Sequence, residues 1–278
     1  MKKKYIFILL VLAIMIFLII MIIINKNDKN KASNNEGGYI EMTEKKQDDF
    51  QIDLVYHSPS NRNIHYHAYI PENIDELNNI RMYITLPGWE GLYFQGVGTN
   101  LKYEDFAFTA KELNSNMIIL APQLDDWGKQ SASDTIELTE YYKEQYNVDK
   151  IYINGYSGGG ETLSLVLEEK PELYNKALLV SSQWDGKYDN LIKSETQVYL
   201  FTGENDSYYG SSSFKKTYKE LYDLYSKKGL SKEEIEKILI LDIKNHEYFT
   251  SHGFNDEHGG GNLAAHEEKI MKWLLELE

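Results

Sequence analysis

A glycine-rich segment near the middle of the chain, Gly155-Tyr156-Ser157-Gly158-Gly159, has the pattern G-x-S-x-G. A strand-like run over residues 150–154 leads into it, and a helix-compatible run over residues 161–169 follows. Where a serine sits on a sharp turn between a strand and a helix, the residues two before and two after it must be small, so that the two elements can pass closely. This context predicts Ser157 as a nucleophile. A glycine-rich loop without a catalytic role is the alternative interpretation.

A serine hydroxyl needs a base within hydrogen-bond reach, and the base needs an acid that orients it. The acid is expected just after a late strand, and the apolar run 197–202 leads into a loop that contains Asp206. Asp206 is therefore the predicted acid. Glu204 in the same loop and Asp185 after the preceding strand remain alternatives, because loops of this kind often carry solvated acids.

Four of the seven histidines follow the last strand-like run, and the base should be one that lies on a loop over the serine. His258 precedes three glycines and is the predicted base. His252, in a polar loop, and His246, near the end of the last strand, remain alternatives. His266 falls within the predicted terminal helix and is expected at the surface.

The tetrahedral intermediate of acyl transfer carries a negative oxygen, which backbone N–H groups must stabilise. One donor should be the residue after the nucleophile, Gly158. The other should come from the loop after an early strand, where Pro87 and Gly88 are followed by Trp89. The Trp89 N–H is the candidate, although Pro-Gly is also a strong signal for a plain turn.

From Phe50 onward, short β-rich runs alternate with amphipathic runs, which predicts an α/β fold with a mostly parallel sheet and helices on both faces. The first two strands follow each other directly and suggest an antiparallel hairpin. The predicted strands are residues 50–56, 64–70, 80–86, 117–121, 150–154, 176–180, 197–202 and 238–243. The predicted helices are residues 103–113, 133–146, 161–169, 213–228 and 263–277.

The N-terminus differs from the rest of the chain. Three lysines are followed by an uncharged apolar run over residues 5–24, long enough for a helix to cross a hydrocarbon core of about 30 Å. The sequence predicts a membrane anchor at residues 1–25, a flexible linker at residues 26–48 and a catalytic domain at residues 49–278. Because cations favour the inner side, the N-terminus is expected in the cytoplasm and the domain outside it. A cleaved signal peptide is the main alternative, although the run ends without a small-residue cleavage site.

The chain has a formal net charge of -14 and no cysteine. An acidic exported domain is repelled by phosphate backbones, so nucleic acid is excluded as the expected partner. Disulfides and a lipid-modified cysteine are excluded outright. A metal site built from His252, Asp256 and His258 is a weaker alternative to serine chemistry, because this cluster lacks the helical histidine spacing of zinc hydrolases.

The order of these parts resembles the α/β-hydrolase superfamily, in particular its small capless secreted esterases and the catalytic domains of prolyl-oligopeptidase-like proteins. The resemblance spans residues 50–278 and depends on the Gly88-Trp89 loop, the Ser157 elbow, Asp206 and His258. It implies an eight-stranded sheet, serine acyl-enzyme chemistry and no cofactor. Pro87 departs from the histidine that many members carry before this glycine, which leaves the geometry of the donor loop open.

Only 16 residues separate the predicted strands ending at residue 180 and beginning at residue 197, which leaves no room for a large lid. Aromatic residues are frequent in the loops expected around the site, and such rings suit a sugar or an aromatic acyl group. The sequence favours a small-molecule or cell-envelope ester as substrate. A peptide substrate and a membrane-tethered binding module without turnover are the alternatives, and the oligomeric state is not determined. The substrate-contacting candidates are Tyr93, Trp184 and Tyr208.

Overall fold

The computed structural model describes residues 38–194 and 196–278. Within these residues, ten strands form one sheet. The strands are β1 (Tyr39–Glu41), β2 (Lys46–Gln47), β3 (Phe50–His57), β4 (Asn63–Tyr69), β5 (Arg81–Leu86), β6 (Met117–Pro122), β7 (Lys150–Tyr156), β8 (Lys176–Val180), β9 (Gln197–Gly203) and β10 (Leu239–Lys244).

The sheet is mixed, with an antiparallel part at one edge. Its strands lie in the order β1-β3-β4-β6-β5-β7-β8-β9-β10, and β2 pairs with β3. Strands β5 to β10 run parallel to one another, whereas β1 to β4 form antiparallel pairs and β4 joins them to β6. Because the carboxyl ends of parallel strands meet at one edge of the sheet, the loops after β5, β7 and β9 gather there.

The structure contains every predicted strand, but the expected number of about eight is too small for this sheet. The two additional strands, β1 and β2, have three and two residues and are bonded to β3 through their backbones. They lie within residues 26–48, the segment predicted as a linker. Its polar composition contains no strand signal, because exposed edge pairing depends on backbone hydrogen bonds rather than on apolar side chains.

Nine α-helices cover the sheet in the described part of the chain. They are α1 (Thr99–Tyr103), α2 (Phe106–Leu113), α3 (Lys129–Tyr146), α4 (Gly158–Glu169), α5 (Asp189–Ser194), α6 (Gly210–Lys228), α7 (Lys232–Ile238), α8 (His246–Ser251) and α9 (Glu268–Leu275).

Two hydrophobic clusters lie on opposite faces of the sheet. Because side chains alternate along a strand, Ile151 and Ile153 of β7 enter one cluster and Tyr152 enters the other. Helices α3, α4 and α6 cover the first face, and α2 and α9 cover the second. The α/β architecture with helices on both faces is therefore as predicted.

Two predicted helices are interrupted. The helix predicted at residues 103–113 is divided between α1 and α2 by Glu104 and Asp105. The helix predicted at residues 263–277 begins instead with a 3₁₀ helix, Gly259–Ala265, and His266 lies between that turn and α9. Helix α7 was not predicted, although Ser231 and Glu234 form a capping box at its start, a pattern visible in the sequence.

The predicted anchor at residues 1–25 lies outside the described residues. Within residues 38–194 and 196–278, no helix combines the length and the apolar character that crossing a bilayer requires.

The packing of α9 makes a testable prediction. Leu274 is fully buried in the second cluster, so Leu274→Ala should lower the free energy of unfolding by about 2–5 kcal/mol. Leu277→Ala, which truncates a partly buried leucine beyond the end of the same helix, should cost clearly less. Urea unfolding of the full chain, followed by circular dichroism, measures both values. Equal midpoints for Leu274→Ala and the parent would contradict this packing.

Candidate active site

Ser157 occupies the turn between β7 and α4. Its φ is 53° and its ψ is -124°, a conformation that non-glycine residues rarely adopt. A Cβ on Gly155 would lie 2.3 Å from the Gly159 carbonyl oxygen, and a Cβ on Gly159 would lie 2.3 Å from the Leu86 carbonyl oxygen. Glycine is therefore required at both positions, because strand and helix pass in direct contact. The structure has the elbow that the sequence predicts.

Three predicted side chains lie in a hydrogen-bonded row at this turn. Ser157 Oγ is 3.0 Å from His258 Nε2. His258 Nδ1 is 3.0 Å from Asp206 Oδ2 and 3.2 Å from Asp206 Oδ1. The Asp206 side chain is completely buried, and that of His258 is 17% exposed.

The charge on Asp206 is held by hydrogen bonds. Burial raises the pKa of this carboxyl, but hydrogen bonds from His258 and from the backbone N–H groups of Tyr209 and Tyr208 outweigh burial and lower it overall. Both backbone bonds to Oδ1 measure 2.9 Å. Because an ionised carboxylate only accepts hydrogen bonds, the proton of the neutral His258 ring must lie on Nδ1. The Nε2 lone pair then faces the Ser157 hydroxyl.

The loops that carry Asp206 and His258 are joined on both sides of the row. The buried Glu257 carboxylate accepts hydrogen bonds from the Asn205 backbone N–H at 2.6 Å and from Asn205 Nδ2 at 3.2 Å. On the other side, the Ser207 hydroxyl donates to Asp256 Oδ1 at 2.7 Å. The residues on either side of Asp206 thus form hydrogen bonds with the two residues that precede His258.

Tyr156, predicted only as part of the elbow, also supports the base. Its hydroxyl donates to the His258 carbonyl oxygen at 2.8 Å. Its ring centroid lies 5.9 Å from that of His258. The residue before the nucleophile therefore links the elbow to the loop that carries the histidine.

The alternative histidines are engaged elsewhere. His246 Nδ1 lies 3.0 Å from Glu257 Oε1, and His252 Nδ1 donates to the Tyr248 carbonyl oxygen at 2.7 Å. His252 therefore does not converge with Asp256 and His258 on a common point. Within the described residues, no group of three histidine, cysteine or acidic side chains is arranged to hold a metal ion.

The alternative acids do not reach His258 either. The Asp185 backbone N–H donates to Ser164 Oγ at 2.9 Å, and burial raises the pKa of its carboxyl. Glu204 pairs through its backbone N–H with the Lys244 carbonyl oxygen. Only Asp206 among the candidate acids contacts the histidine.

The two predicted donors of an oxyanion hole lie at starts of helices. Gly158 is the first residue of α4, and Trp89 is the first residue of a 3₁₀ helix, Trp89–Gly91. Such N–H groups lack an intrahelical acceptor, and neither has a hydrogen-bond partner within the residues that the structure describes. Gly88 packs against the nucleophile, since a Cβ built on it would lie 3.3 Å from Ser157 Cβ.

The three predicted substrate contacts occupy different surroundings. Tyr208 is 75% exposed, and its ring stacks on His258 with a centroid distance of 5.4 Å. Tyr93 stacks instead on His65 at 3.8 Å, and Trp184 packs beside Tyr188 at 5.4 Å. Of the three, only Tyr208 lies next to the hydrogen-bonded row.

Sequence reasoning did not assign a role to Tyr209 and Glu161. The Tyr209 hydroxyl donates to Glu161 Oε1 at 2.8 Å, and its ring centroid lies 5.6 Å from that of His258. Burial raises the pKa of Tyr209, whereas an interaction with the Ser157 hydroxyl lowers it. Glu161 lies four residues after Ser157, so the spacing of one helical turn was a signal that could have identified it.

Aromatic rings border the donor side of Ser157. The Trp127 ring covers Gly158, where an added Cβ would meet ring atoms at 2.1 Å. Trp89 lies beside it with a centroid distance of 5.9 Å, and Phe94 packs edge-on against Trp89 at 5.0 Å. Trp89 is 53% exposed and Phe94 is 61% exposed. These rings form an apolar rim that a substrate can contact.

This arrangement is suited to acyl transfer. Nε2 of His258 can accept the Ser157 proton, and Asp206 can stabilise the resulting imidazolium. The free N–H groups of Gly158 and Trp89 can stabilise a negative oxygen beside the serine. No step of this chemistry calls for a cofactor or a metal ion.

A model of the prolyl oligopeptidase family matches residues 124–259. The matched segment contains Ser157, Asp206 and His258 but not Trp89. No curated protein matches the chain.

Several solved structures are similar in fold. A thermostable esterase has 19% identity and a TM-score of 0.63, over 82% of this chain and 63% of its own. One of two prolyl endopeptidases has 12% identity and a TM-score of 0.55, over 85% of this chain and 40% of its own. Est1E from Butyrivibrio proteoclasticus has 13% identity and a TM-score of 0.52, over 82% of this chain and 98% of its own. This chain thus spans less than two thirds of the first two structures.

The link between Asn205 and Glu257 can be tested. Glu257→Gln replaces one accepting oxygen of this buried side chain with an amide NH₂ that cannot accept a hydrogen bond from Asn205. It should therefore lower the free energy of unfolding by about 1–3 kcal/mol. Glu247→Gln, at an exposed position on α8, should leave it unchanged. Urea denaturation of the full-length variants gives both values, and a parent-like midpoint for Glu257→Gln would show that this link contributes no stability.

Proposed function

We propose that this chain, a serine hydrolase of the α/β-hydrolase superfamily, cleaves carboxylic esters by an acyl-enzyme mechanism. The observation that carries the proposal is the row of contacts from Ser157 through His258 to Asp206, at 3.0 Å for each step. In the proposal Ser157 is the nucleophile, His258 the base and Asp206 the orienting acid. Gly158 and Trp89 supply the oxyanion hole.

In the first half-reaction, Ser157 Oγ attacks the ester carbonyl carbon while its proton passes to His258 Nε2. The carbonyl oxygen becomes negative and is stabilised by the N–H groups of Gly158 and Trp89. When the tetrahedral intermediate collapses, the bond to the leaving alkoxide breaks and His258 returns the proton to that oxygen. An alcohol leaves, and the acyl group remains on Ser157.

In the second half-reaction, water takes the place of the alcohol. His258 removes a proton from the water as the water oxygen attacks the acyl carbon. The second tetrahedral intermediate expels Ser157 Oγ, which recovers the proton from His258. The products are a carboxylic acid and the free enzyme.

Two features support an ester rather than a peptide as substrate. The exposed Tyr208 ring stacks on His258, and the exposed Trp89 ring lies beside Trp127, which covers Gly158. Such rings suit a planar or ring-shaped ester group. Only a short helix, α5, lies between β8 and β9, so nothing large covers the site from that connection. A cell-envelope ester with a sugar or aromatic component fits this open site. A peptidase is the second candidate, favoured by the family-model match over residues 124–259.

Ser157→Ala in the full chain should abolish labelling by a fluorophosphonate probe and lower kcat by on the order of 10³-fold or more. Ser212→Ala, at an exposed position on α6, should behave like the parent. Hydrolysis of a nitrophenyl ester and of the nitroanilide with the same acyl group is compared, and the ester should be the faster substrate. A folded parent that is not labelled would refute the serine mechanism, and a faster nitroanilide would favour the peptidase.

The location of the domain outside the cytoplasm is also part of the proposal. It is supported by the apolar run at residues 5–24, by the lysines before it and by the polar stretch after it.

In cells that produce the full chain, a fluorophosphonate probe that cannot cross membranes should label Ser157 of a membrane-bound protein. The variant lacking residues 2–25 should remain in the cytoplasm and be labelled only after lysis. Labelling of the full chain only after lysis would place the domain in the cytoplasm, and a labelled protein shortened at its N-terminus would identify a cleaved signal.

A further inference from the structure

Glu104 is a buried carboxyl outside the hydrogen-bonded row. It lies between α1 and α2 and is 5% exposed. Its Oε1 accepts the Gly88 backbone N–H at 2.7 Å. No cationic side chain within the described residues pairs with it. A buried carboxyl without a counter-charge is costly, so its presence behind the site calls for a physical reason.

Gly88 separates this carboxyl from the nucleophile. A Cβ built on Gly88 would lie 3.3 Å from Ser157 Cβ and 3.6 Å from Glu104 Oε1. The Gly88 N–H therefore donates to Glu104, whereas the next N–H, that of Trp89, has no hydrogen-bond partner within the described residues. The hydrogen bond that the Gly88 N–H donates to Glu104 thus holds the peptide unit that precedes the proposed oxyanion donor.

Asp105, the residue after Glu104, binds the segment that follows His258. Asp105 Oδ2 accepts from Asn262 Nδ2 at 2.8 Å and lies 3.0 Å from His266 Nε2. The Asp105 backbone N–H donates to Asn262 Oδ1 at 3.1 Å. The short link between α1 and α2 therefore contacts both the donor loop and the 3₁₀ helix after His258.

We propose that Glu104 is a positioning residue that acts in its protonated, neutral form, holding Gly88 so that the Trp89 N–H faces the oxyanion. The proposal rests on the proposed acyl-transfer function. A neutral carboxyl can accept the Gly88 N–H through its carbonyl oxygen without placing a negative charge behind the developing oxyanion. An ionised carboxylate at the same position would repel that charge in a low-dielectric setting.

The groups around Glu104 favour the neutral form. Burial, with smaller contributions from the charges of Glu90 and Asp105, raises the pKa of Glu104 to about 8, and the hydrogen bond from the Gly88 N–H opposes this rise. The neighbouring hydroxyls of Tyr83 and Tyr156 stay neutral, because burial raises the pKa of each.

The sign of the pH effect follows from this raised pKa. Between the ordinary pKa of 4.5 and about 8, the folded protein binds a proton that the unfolded chain has lost. The contribution of Glu104 to stability is therefore complete below about pH 4.5 and is lost as the pH rises through about 8. Activity should fall over the upper part of the same range, because the carboxylate forms beside the oxyanion hole.

The test compares Glu104→Gln, Glu104→Leu and the exposed control Glu112→Gln in the full chain. Rates for a nitrophenyl ester are measured from pH 6 to 10, with Ser157→Ala as the blank. Glutamine keeps an accepting oxygen and cannot ionise, so Glu104→Gln should keep kcat within about threefold at pH 7 and should lack the decline near pH 8. Leucine cannot accept the Gly88 N–H, so Glu104→Leu should lower kcat by about 10- to 100-fold with little change in KM.

Three results would overturn the proposal: no decline of the parent above pH 8, the same decline in Glu104→Gln as in the parent, or a parent-like kcat for Glu104→Leu. If Glu104→Leu does not fold, the pH profile of Glu104→Gln alone decides. Turnover that persists in Ser157→Ala would instead refute the proposed function, so the two failures are distinguishable.

Discussion

The direct contact between β7 and α4 is the constraint on which the site depends. Gly155 and Gly159 allow the strand and the helix to touch, and the chain can then turn between them only if Ser157 adopts a positive φ. This strained turn presents the serine hydroxyl and, at the start of α4, the free Gly158 N–H. The unusual backbone conformation costs energy, and the buried elements on both sides of the turn maintain it.

The other parts of the site reach Ser157 through loops that would not be rigid alone. The loop after β9 and the segment before the 3₁₀ helix Gly259–Ala265 are joined by Asn205 to Glu257 and by Ser207 to Asp256. Because these contacts flank the bond from Asp206 to His258, movement of the His258 loop away from Asp206 would break them. Side chains that are already held in place need not rearrange during the proposed reaction, and this lowers its energy barrier.

Two buried carboxyls close to Ser157 show how hydrogen-bond donors decide ionisation. Asp206 receives donors from His258 and from two backbone N–H groups, and its pKa is lowered despite burial. Glu104 receives one backbone N–H and faces other acids, and its pKa is raised to about 8. The ionised Asp206 is thus suited to stabilising a positive charge on His258, whereas the neutral Glu104 places no negative charge near the proposed oxyanion hole.

The sequence by itself determined the elbow, the order of serine, acid and histidine, and the eight main strands, because each depends on a local pattern of small, apolar or polar residues. It predicted His258 as the base but left His252 and His246 as alternatives, since loop position does not say which ring reaches Ser157. It also treated residues 103–113 as one helix and missed the buried Glu104 that interrupts it. Only the tertiary structure decided these points and the pairing of Tyr209 with Glu161, because each is a contact between side chains that folding brings together from separate elements.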